Sequence, residues 1–245
     1  MNTVALPSSR TAAWWQQLTS RLLFKFVLPR IQRSKLEGIE LDVSKLSSLM
    51  KNHIRTGRYE VQERILARRA LTHDDVVLEL GGAIGFIGLY CRKVIGVKHH
   101  FSVEANPATL QLLRRNYALN HLNPDVIHAA AAAEDGELSL DVGGEFWENS
   151  LVHASDSGLR ITVPARSLRS LIALMPFPPT ALVCDIEGAE QYLDFSQLPS
   201  SVTKIIIELH PDMIGQSRVD MILGQLGQMR FEVREQEAGT WLLTR

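Results

Sequence analysis

The chain has 245 residues, 45% of them hydrophobic, and a formal net charge of −1, which predicts a soluble globular protein with one large core. Cys91 and Cys184 lie far apart in apolar surroundings, so the sequence contains neither a disulfide framework nor a zinc-binding spacing. No run reaches the roughly 18 apolar residues of a membrane span, and no secretory cleavage site follows the apolar run at residues 22–28. We therefore expect a cytoplasmic protein with reduced thiols.

The N-terminal part of the chain is basic. Residues 1–70 carry 13 Lys and Arg against 5 Asp and Glu, and residues 71–245 carry 13 against 22. Between Trp14 and Arg33, apolar residues recur at three- and four-residue steps with basic residues among them, which predicts a basic amphipathic helix that ends or kinks at Pro29. This helix could bind an anionic membrane surface or an acidic partner, or it could pack on the main domain or on a second subunit of a homodimer. We assign residues 1–58 to an N-terminal helical extension and residues 59–245 to the main domain.

A strand followed by a glycine-rich turn is predicted at residues 76–88. Residues 76–80 are apolar apart from Glu79, which is typical of a buried parallel strand, and the glycines after them permit a tight turn into a helix. A ligand can lie against such a turn and the helix N-terminus. The spacing of Gly81 and Gly85 differs from the G-x-G-x-x-G of dinucleotide-binding proteins, and a carboxylate at Glu79 suits the positively charged amino acid end of S-adenosylmethionine. The turn therefore favours that cofactor.

Other acids are candidates for the remaining parts of the cofactor. Glu104 ends a second apolar run, close to the interval of about 20 residues at which an acid accepts both ribose hydroxyls. After a third predicted strand at residues 126–129, Glu134 or Asp135 could accept from the adenine amino group, or could be an ordinary loop acid. The helix predicted at residues 59–71 would lie beside the turn, and its candidate lid or cofactor-amine contacts, which could equally be solvated helix residues, are Tyr59, Glu60 and Glu63.

The order of the predicted elements indicates an α/β fold. Strands alternate with helices at residues 86–91 and 107–119, which is the pattern of a parallel sheet. Segments 137–142 and 160–163 alternate like half-exposed strands, and the loop between them carries three candidate substrate contacts, Trp147, Asn149 and Ser150. After a helix at residues 217–229, segments 231–235 and 240–244 predict a terminal hairpin, which would make the final strand antiparallel. That feature separates a methyltransferase sheet from a dinucleotide-binding one.

Acids and a histidine follow two further predicted strands. The apolar segment 181–184 ends in Asp185 and Glu187, and segment 204–207 ends in Glu208 and His210. Because ligands bind beyond the carboxyl ends of parallel strands, we expect these side chains in the cofactor crevice. His210 is the first candidate general base, with Asp185 and Glu187 as orienting or proton-accepting groups. His210 could instead be a structural histidine before Pro211, and a divalent cation could bind here, but the spacing alone does not establish a metal site.

These motifs together resemble the FkbM family of S-adenosylmethionine-dependent methyltransferases. The resemblance is carried by E-L-G-G-A-I-G at Glu79–Gly85, V-E-A-N-P at Val103–Pro107, D-I-E-G-A-E at Asp185–Glu190 and I-E-L-H at Ile207–His210. It implies a class I methyltransferase (Rossmann-like) fold with a seven-stranded, mostly parallel sheet and a C-terminal antiparallel hairpin. It also implies cofactor binding at Glu79, Gly81 and Glu104, and methyl transfer to a hydroxyl of a sugar, polyketide or other small metabolite. The family usually has Asp in place of Glu79 and Asn in place of Ala83, so cofactor affinity could be reduced.

We therefore expect a methyltransferase that uses S-adenosylmethionine to O-methylate a small hydroxylated acceptor. Nucleic acid is not an expected partner, because the acidic main domain shows no basic patch interleaved with aromatic residues. One rival hypothesis is a non-catalytic module of the same fold that binds a partner through its basic N-terminal helix. A second is a nicotinamide-dependent oxidoreductase, against which the spacing at Gly81 and the terminal hairpin argue.

Overall fold

The computed structural model describes residues 21–141 and 160–245 of the chain. Trp147, Asn149, Ser150 and residues 14–20 of the predicted N-terminal helix lie outside the described residues. The strands are β1 (Arg33–Leu36), β2 (Ile39–Asp42), β3 (Val76–Leu80), β4 (His99–Glu104), β5 (Asp125–His128), β6 (Ala130–Ala131), β7 (Gly136–Asp141), β8 (Arg160–Arg166), β9 (Ala181–Cys184), β10 (Lys204–Glu208), β11 (Glu232–Glu237) and β12 (Thr240–Thr244). The α-helices are α1 (Ser48–Thr56), α2 (Val61–Ala70), α3 (Phe86–Tyr90), α4 (Pro107–Leu119), α5 (Leu168–Ala173), α6 (Pro211–Ile214) and α7 (Gln216–Gln228).

A seven-stranded sheet with the order β11-β12-β10-β9-β3-β4-β5 forms the centre of the fold. Strands β5, β4, β3, β9 and β10 pair in parallel, and β12 pairs antiparallel with both β10 and β11. The apolar runs of β3, β9 and β10 are buried, as expected for parallel strands covered on both faces. The predicted fold class, a mostly parallel sheet of the class I methyltransferase type with a C-terminal antiparallel hairpin, is confirmed.

The direction in which the chain builds the sheet changes between β3 and β9. From β3 the chain adds β4 and β5 on one side, and it then crosses to add β9 and β10 on the other. At such a point the carboxyl ends of the two central strands open a crevice. The strand ends approach closely here, since a Cβ at Gly81 would lie only 1.7 Å from the carbonyl oxygen of Asp185.

The N-terminal part differs from the predicted helical extension. Residues 33–42 form a β-hairpin, whose turn residues Glu37 and Gly38 have φ of 50° and 81°. Two left-handed residues are what a two-residue hairpin turn needs, and glycine supplies the second at no steric cost. Buried residues of the hairpin, Leu36, Ile39 and Leu41, belong to the same core cluster as Val77 of β3. The prediction of a helical extension over residues 1–58 is therefore wrong for residues 33–42, which are part of the core.

Residues 21–30 form short turns of π- and 3₁₀-helix that end at Arg30, next to Pro29. Within them Leu28 is fully buried and Lys51 of α1 donates a hydrogen bond to the carbonyl oxygen of Pro29. Helices in the described ranges are all too short or too polar to cross a bilayer. Membrane or partner contact by the N-terminal helix and formation of a homodimer stay predictions.

A small three-stranded sheet follows β5, which is an edge strand of the seven-stranded sheet. Strand β8 pairs in parallel with β6 and antiparallel with β7. Strands β7 and β8 are partly exposed, as their alternating sequence predicted, and only Leu140, Val163 and Ala165 are buried within them. Leu140 also lines a cleft at the carboxyl ends of β3, β4 and β9, so this sheet contributes one wall of the candidate site.

Candidate active site

A cleft of about 830 Å³, the large cleft, is partly open to solvent and lies at the carboxyl ends of β3, β4 and β9. Its position at the change in sheet direction is where ligands bind in open α/β sheets. The residues that line it come from the glycine turn, the ends of β4 and β9, the segment before α2 and the small sheet. They are Tyr59, Glu60, Gly81, Ala83, Val103, Glu104, Ala105, Asn106, Thr109, Ala129, Ala130, Ala131, Leu140, Asp185, Ile186, Glu187 and Ala189.

Glu104 is the buried carboxylate of this cleft. One of its oxygens accepts a hydrogen bond from the Ala83 amide at 2.9 Å, and the other accepts from the Asn106 amide at 2.7 Å. Burial raises the pKa of Glu104 to about 7, although these backbone hydrogen bonds oppose the shift. A third backbone hydrogen bond comes from Ala105. Each carboxylate oxygen has two lone pairs, so Glu104 keeps the capacity to accept at least one further hydrogen bond from a ligand.

The amide of Ala83 reaches Glu104 from a left-handed backbone conformation with φ of 43°. Such a conformation costs an L-residue roughly 1 to 2 kcal/mol, and Asn adopts it more readily than Ala. Ala83, one of the two positions at which this chain differs from the usual FkbM sequence, is therefore strained, and its amide contacts a candidate cofactor residue.

Glu79 lies outside the large cleft. Its buried carboxylate accepts a hydrogen bond from the Ser102 hydroxyl at 2.5 Å and lies 3.6 Å from Nε2 of His100. It lines an adjoining cavity of about 300 Å³, which shares Tyr59, Gly81 and Asp185 with the large cleft. Burial raises the pKa of Glu79 to about 7. Contact of Glu79 with the amino acid end of the cofactor stays a prediction.

The two candidate glycines have different surroundings. Gly81 lines the large cleft and has φ of 87°. Gly85 does not line that cleft among the residues described, and a Cβ added there would lie 2.9 Å from Cγ of Leu113. Gly85 therefore allows the turn to pack against α4, which is a structural requirement independent of any ligand.

Tyr59 lines both the large cleft and the cavity of Glu79, and its role in cofactor binding stays a prediction. The residue is buried, and its ring packs against Phe86 with 5.5 Å between ring centroids. The next residue, Glu60, has φ of 48°, which delays the start of α2 to Val61. Burial, followed by the charges of Glu63 and Asp185, raises the pKa of Glu60 well above its ordinary value.

Glu134 is exposed and lies in a separate depression formed by residues 131–139 with Ala165 and Tyr192. Its neighbour Asp135 accepts hydrogen bonds from the amide and hydroxyl of Ser167 and from the hydroxyl of Ser170, at the start of α5. The described structure therefore brings neither acid to the large cleft, and Asp135 has a structural role at a helix N-terminus.

His210 stands among four carboxylates beyond the ends of β9 and β10. Its Nε2 lies 3.3 Å from Glu187, 3.7 Å from Asp185 and 3.9 Å from Glu208, and its Nδ1 lies 3.5 Å from Glu190. The structure thus brings together the three predicted catalytic residues. Sequence reasoning assigned no role to Glu190, which lies three residues after Glu187 on a 3₁₀-helical turn and is fully buried.

The ionisation of His210 is coupled to that of the carboxylates around it. Burial lowers the pKa of His210, but the carboxylates of Glu190, Asp185 and Glu187 outweigh it and raise the pKa to about 9. Burial and then the neighbouring Asp185 and Glu63 raise the pKa of Glu208 to about 10. The proton on the imidazole therefore depends on the charges of the surrounding acids, and the acids cannot all be ionised at once.

A second cleft of about 660 Å³ adjoins the first. Asp185, Glu187, Tyr59 and Glu60 line both clefts. The remaining lining of the second cleft comes mainly from α1 and α2. Sequence reasoning named Glu63 and Glu208 as candidates but did not identify Leu49, Met50, His53, Arg58 and Gln62. Two ligands, one in each cleft, would meet at the wall that contains Asp185 and Glu187.

No protein-family model matches the sequence, and no curated protein matches it. Among solved structures, the chain is similar to methyltransferase FkbM from Methylobacillus flagellatus KT, with 15% identity and a TM-score of 0.48 over 81% of this chain and 53% of that one. It is also similar to M. jannaschii TYW2 in complex with AdoMet, with 16% identity and a TM-score of 0.44 over 86% and 82% of the two chains. A methyltransferase from Pyrococcus furiosus has 13% identity and a TM-score of 0.43 over 96% of both chains. The chain thus spans about half the length of the FkbM protein, and similarities at this level assign neither a family nor an activity to it.

Proposed function

We propose that this protein is an S-adenosylmethionine-dependent methyltransferase that O-methylates a small hydroxylated acceptor. The observation that carries the proposal is a buried carboxylate with spare acceptor capacity, Glu104, in a cleft whose acidic wall also lines a second cleft. A cofactor and an acceptor in these clefts would approach each other at Asp185 and Glu187.

The residues of the large cleft suit the parts of the proposed cofactor. Glu104 would accept from the ribose hydroxyls through the lone pairs that Ala83 and Asn106 leave open. The small buried side chains of Ala129, Ala130 and Ala131 leave a flat apolar wall of the kind an adenine ring can lie against. Acids at the opposite end suit the positive charges of the amino acid portion. When bound, S-adenosylmethionine supplies a methyl group activated by a sulfonium.

The chain would contribute mainly by holding the acceptor oxygen in line with the methyl group and by excluding water. Asp185 and Glu187 would lie beside the acceptor hydroxyl and orient it, and an ionised carboxylate of this acidic wall would accept its proton. His210 as the general base stays a prediction.

Calorimetric titration with S-adenosylhomocysteine, with NAD as the comparison ligand, tests the cofactor class. We expect binding of S-adenosylhomocysteine alone. Replacement of Glu104 by Ala should weaken that binding by about 10- to 150-fold, because hydrogen bonds to a charged group contribute roughly 1.5 to 3 kcal/mol.

The matched control is Glu134→Ala, which removes an exposed carboxylate from the separate depression and should leave the affinity unchanged. Unaltered affinity of the Glu104→Ala variant would remove that residue from the site. Binding of NAD in place of S-adenosylhomocysteine would support an oxidoreductase, and binding of neither would support a non-catalytic module.

A further inference from the structure

Three side chains at the wall between the clefts converge as metal ligands do. One ligand atom from each of Asp185, Glu187 and His210 lies within 4.8 Å of the other two. Nε2 of His210 is 3.3 Å from Glu187 and 3.7 Å from Asp185. Ligands held about 2.1 Å from one ion at angles of 90° to 109° are roughly 3.0 to 3.4 Å apart. Small side-chain movements would therefore bring the three atoms to bonding distance of a common ion.

A second, independent observation concerns Glu190, which lies behind the histidine. Glu190 is fully buried, and within the described chain its Oε2 has no hydrogen-bond partner. Its Oε1 accepts from the Ile186 amide and lies 3.5 Å from Nδ1 of His210. Nδ1 of His210 is itself buried and makes no hydrogen bond within the described residues. A small movement would bring Glu190 to hydrogen-bond distance of this nitrogen, and a carboxylate at that position orients metal-binding histidines and leaves Nε2 facing the ion.

The surroundings of the cluster also call for positive charge. Oδ1 of Asp185 is buried and has no hydrogen-bond partner within residues 21–141 and 160–245. Glu208 lies 3.9 Å from Nε2 of His210 on the same side as the other acids. The group that faces this oxygen is Nε2 of His210, at 3.7 Å. Burying several carboxylates together is costly, and an ion bound by Asp185, Glu187 and the neutral ring of His210 would offset that cost.

We propose that Asp185, Glu187 and His210 bind a divalent first-row cation at the wall shared by the two clefts. Two carboxylates and one imidazole suit Mn²⁺ or Zn²⁺, because Ca²⁺ and Mg²⁺ prefer sites made of oxygen alone. The ion would hold an oxygen of the acceptor and ease the loss of its proton, an assignment that rests on the proposed methyltransferase function. Cation binding itself requires neither cofactor nor acceptor.

The test is titration of the purified, chelator-treated full chain with Mn²⁺ alone, followed by the electron paramagnetic resonance signal of free Mn²⁺, and a parallel calorimetric titration with Zn²⁺. We expect one bound ion with micromolar affinity. Asp185→Asn and Glu187→Gln should each weaken binding at least tenfold, and circular dichroism should show that both variants are folded. The matched control is Asp212→Asn, which changes an exposed carboxylate two residues after His210.

Absence of submillimolar binding of both ions would overturn the proposal, as would equal affinity of the wild-type chain, Asp185→Asn and Glu187→Gln. If S-adenosylhomocysteine binds while the ions do not, the metal site fails and the proposed cofactor stands. If the ions bind while S-adenosylhomocysteine does not, the metal site stands without the methyltransferase function.

Discussion

At the scale of single residues, Glu79 shows how burial sets the cost of a charge in this fold. The carboxylate is 3% exposed. Within the described residues it accepts a hydrogen bond from the Ser102 hydroxyl and lies beside the His100 ring. Burial lowers the pKa of His100 to about 3, so this ring is neutral and contributes no positive charge. Ionisation of Glu79 therefore destabilises the folded chain relative to the unfolded one.

The pH dependence follows from the raised pKa of Glu79, about 7, against an ordinary value of about 4.3 in an unfolded chain. Between these values the folded chain binds more protons, so the free energy of unfolding falls as pH rises from about 4.3 to 7. Glu79→Gln keeps an acceptor for Ser102 and cannot ionise. The difference in free energy of unfolding between this variant and the wild type should be about 2 kcal/mol more favourable to the variant at pH 8 than at pH 5. Urea denaturation at the two pH values measures it.

Glu40→Gln is the control for this experiment, because Glu40 is exposed on β2. Its effect on the free energy of unfolding should be the same at both pH values. A pH-independent effect of Glu79→Gln would show that Glu79 is ionised in the folded chain without penalty.

At the scale of secondary-structure elements, the contact between the ends of β3 and β9 depends on one glycine. A Cβ at Gly81 would lie 1.7 Å from the carbonyl oxygen of Asp185, and backbone atoms cannot move aside without separating the strands. The same approach places Asp185 in the wall of both clefts. The absence of a side chain at Gly81 is therefore needed both for the packing of the two strands and for the position of Asp185 in the candidate site.

Replacement of Gly81 by Ala should destabilise the chain by several kcal/mol or abolish soluble expression. The matched control is Gly96→Ala, since Gly96 has a similar φ of 89° but no atom within 4 Å of an added Cβ. The free energy of unfolding of the control should fall only by the cost of the left-handed backbone conformation, roughly 1 to 2 kcal/mol. Thermal unfolding compares the two variants, and equal losses would show that the contact with Asp185 contributes nothing beyond backbone strain.

At the scale of the whole molecule, Asn116 joins the N-terminal hairpin to the central sheet. This fully buried residue of α4 accepts a hydrogen bond from the Asp42 amide at 2.7 Å and donates one to the carbonyl oxygen of Ile84 at 2.8 Å. It thus connects β2, α4 and the glycine turn. The hairpin and the turn that carries Ala83 should therefore be stabilised together.

Asn116→Ala should lower the free energy of unfolding by about 2 to 4 kcal/mol, because it leaves two backbone groups without their partners. Asn52→Ala on α1 is the control, since the side chain of Asn52 accepts only an exposed hydrogen bond from Arg55. Chemical denaturation gives both values. A loss below about 1 kcal/mol in Asn116→Ala would contradict a connecting role for this side chain.

The local sequence was sufficient to predict the strands of the central sheet. The apolar runs of β3, β9 and β10 are long enough to be buried on both faces, and the glycines after β3 mark the turn, so the parallel sheet could be predicted. The terminal hairpin was equally readable. The hairpin at residues 33–42 was missed although Glu37-Gly38 between short alternating segments was a usable signal.

The sequence by itself determined the fold class and placed acids at the ends of the central strands, because strand periodicity and glycine turns depend on neighbouring residues. Only the tertiary structure decided which cavity each acid faces, since that depends on how helices and strands distant in the chain pack together. Glu104 faces the large cleft, Glu79 is turned toward Ser102, and Glu134 lies in a separate depression. The contact of Glu190 with His210 likewise arises where the segments after β9 and β10 meet, so residue spacing could not reveal it.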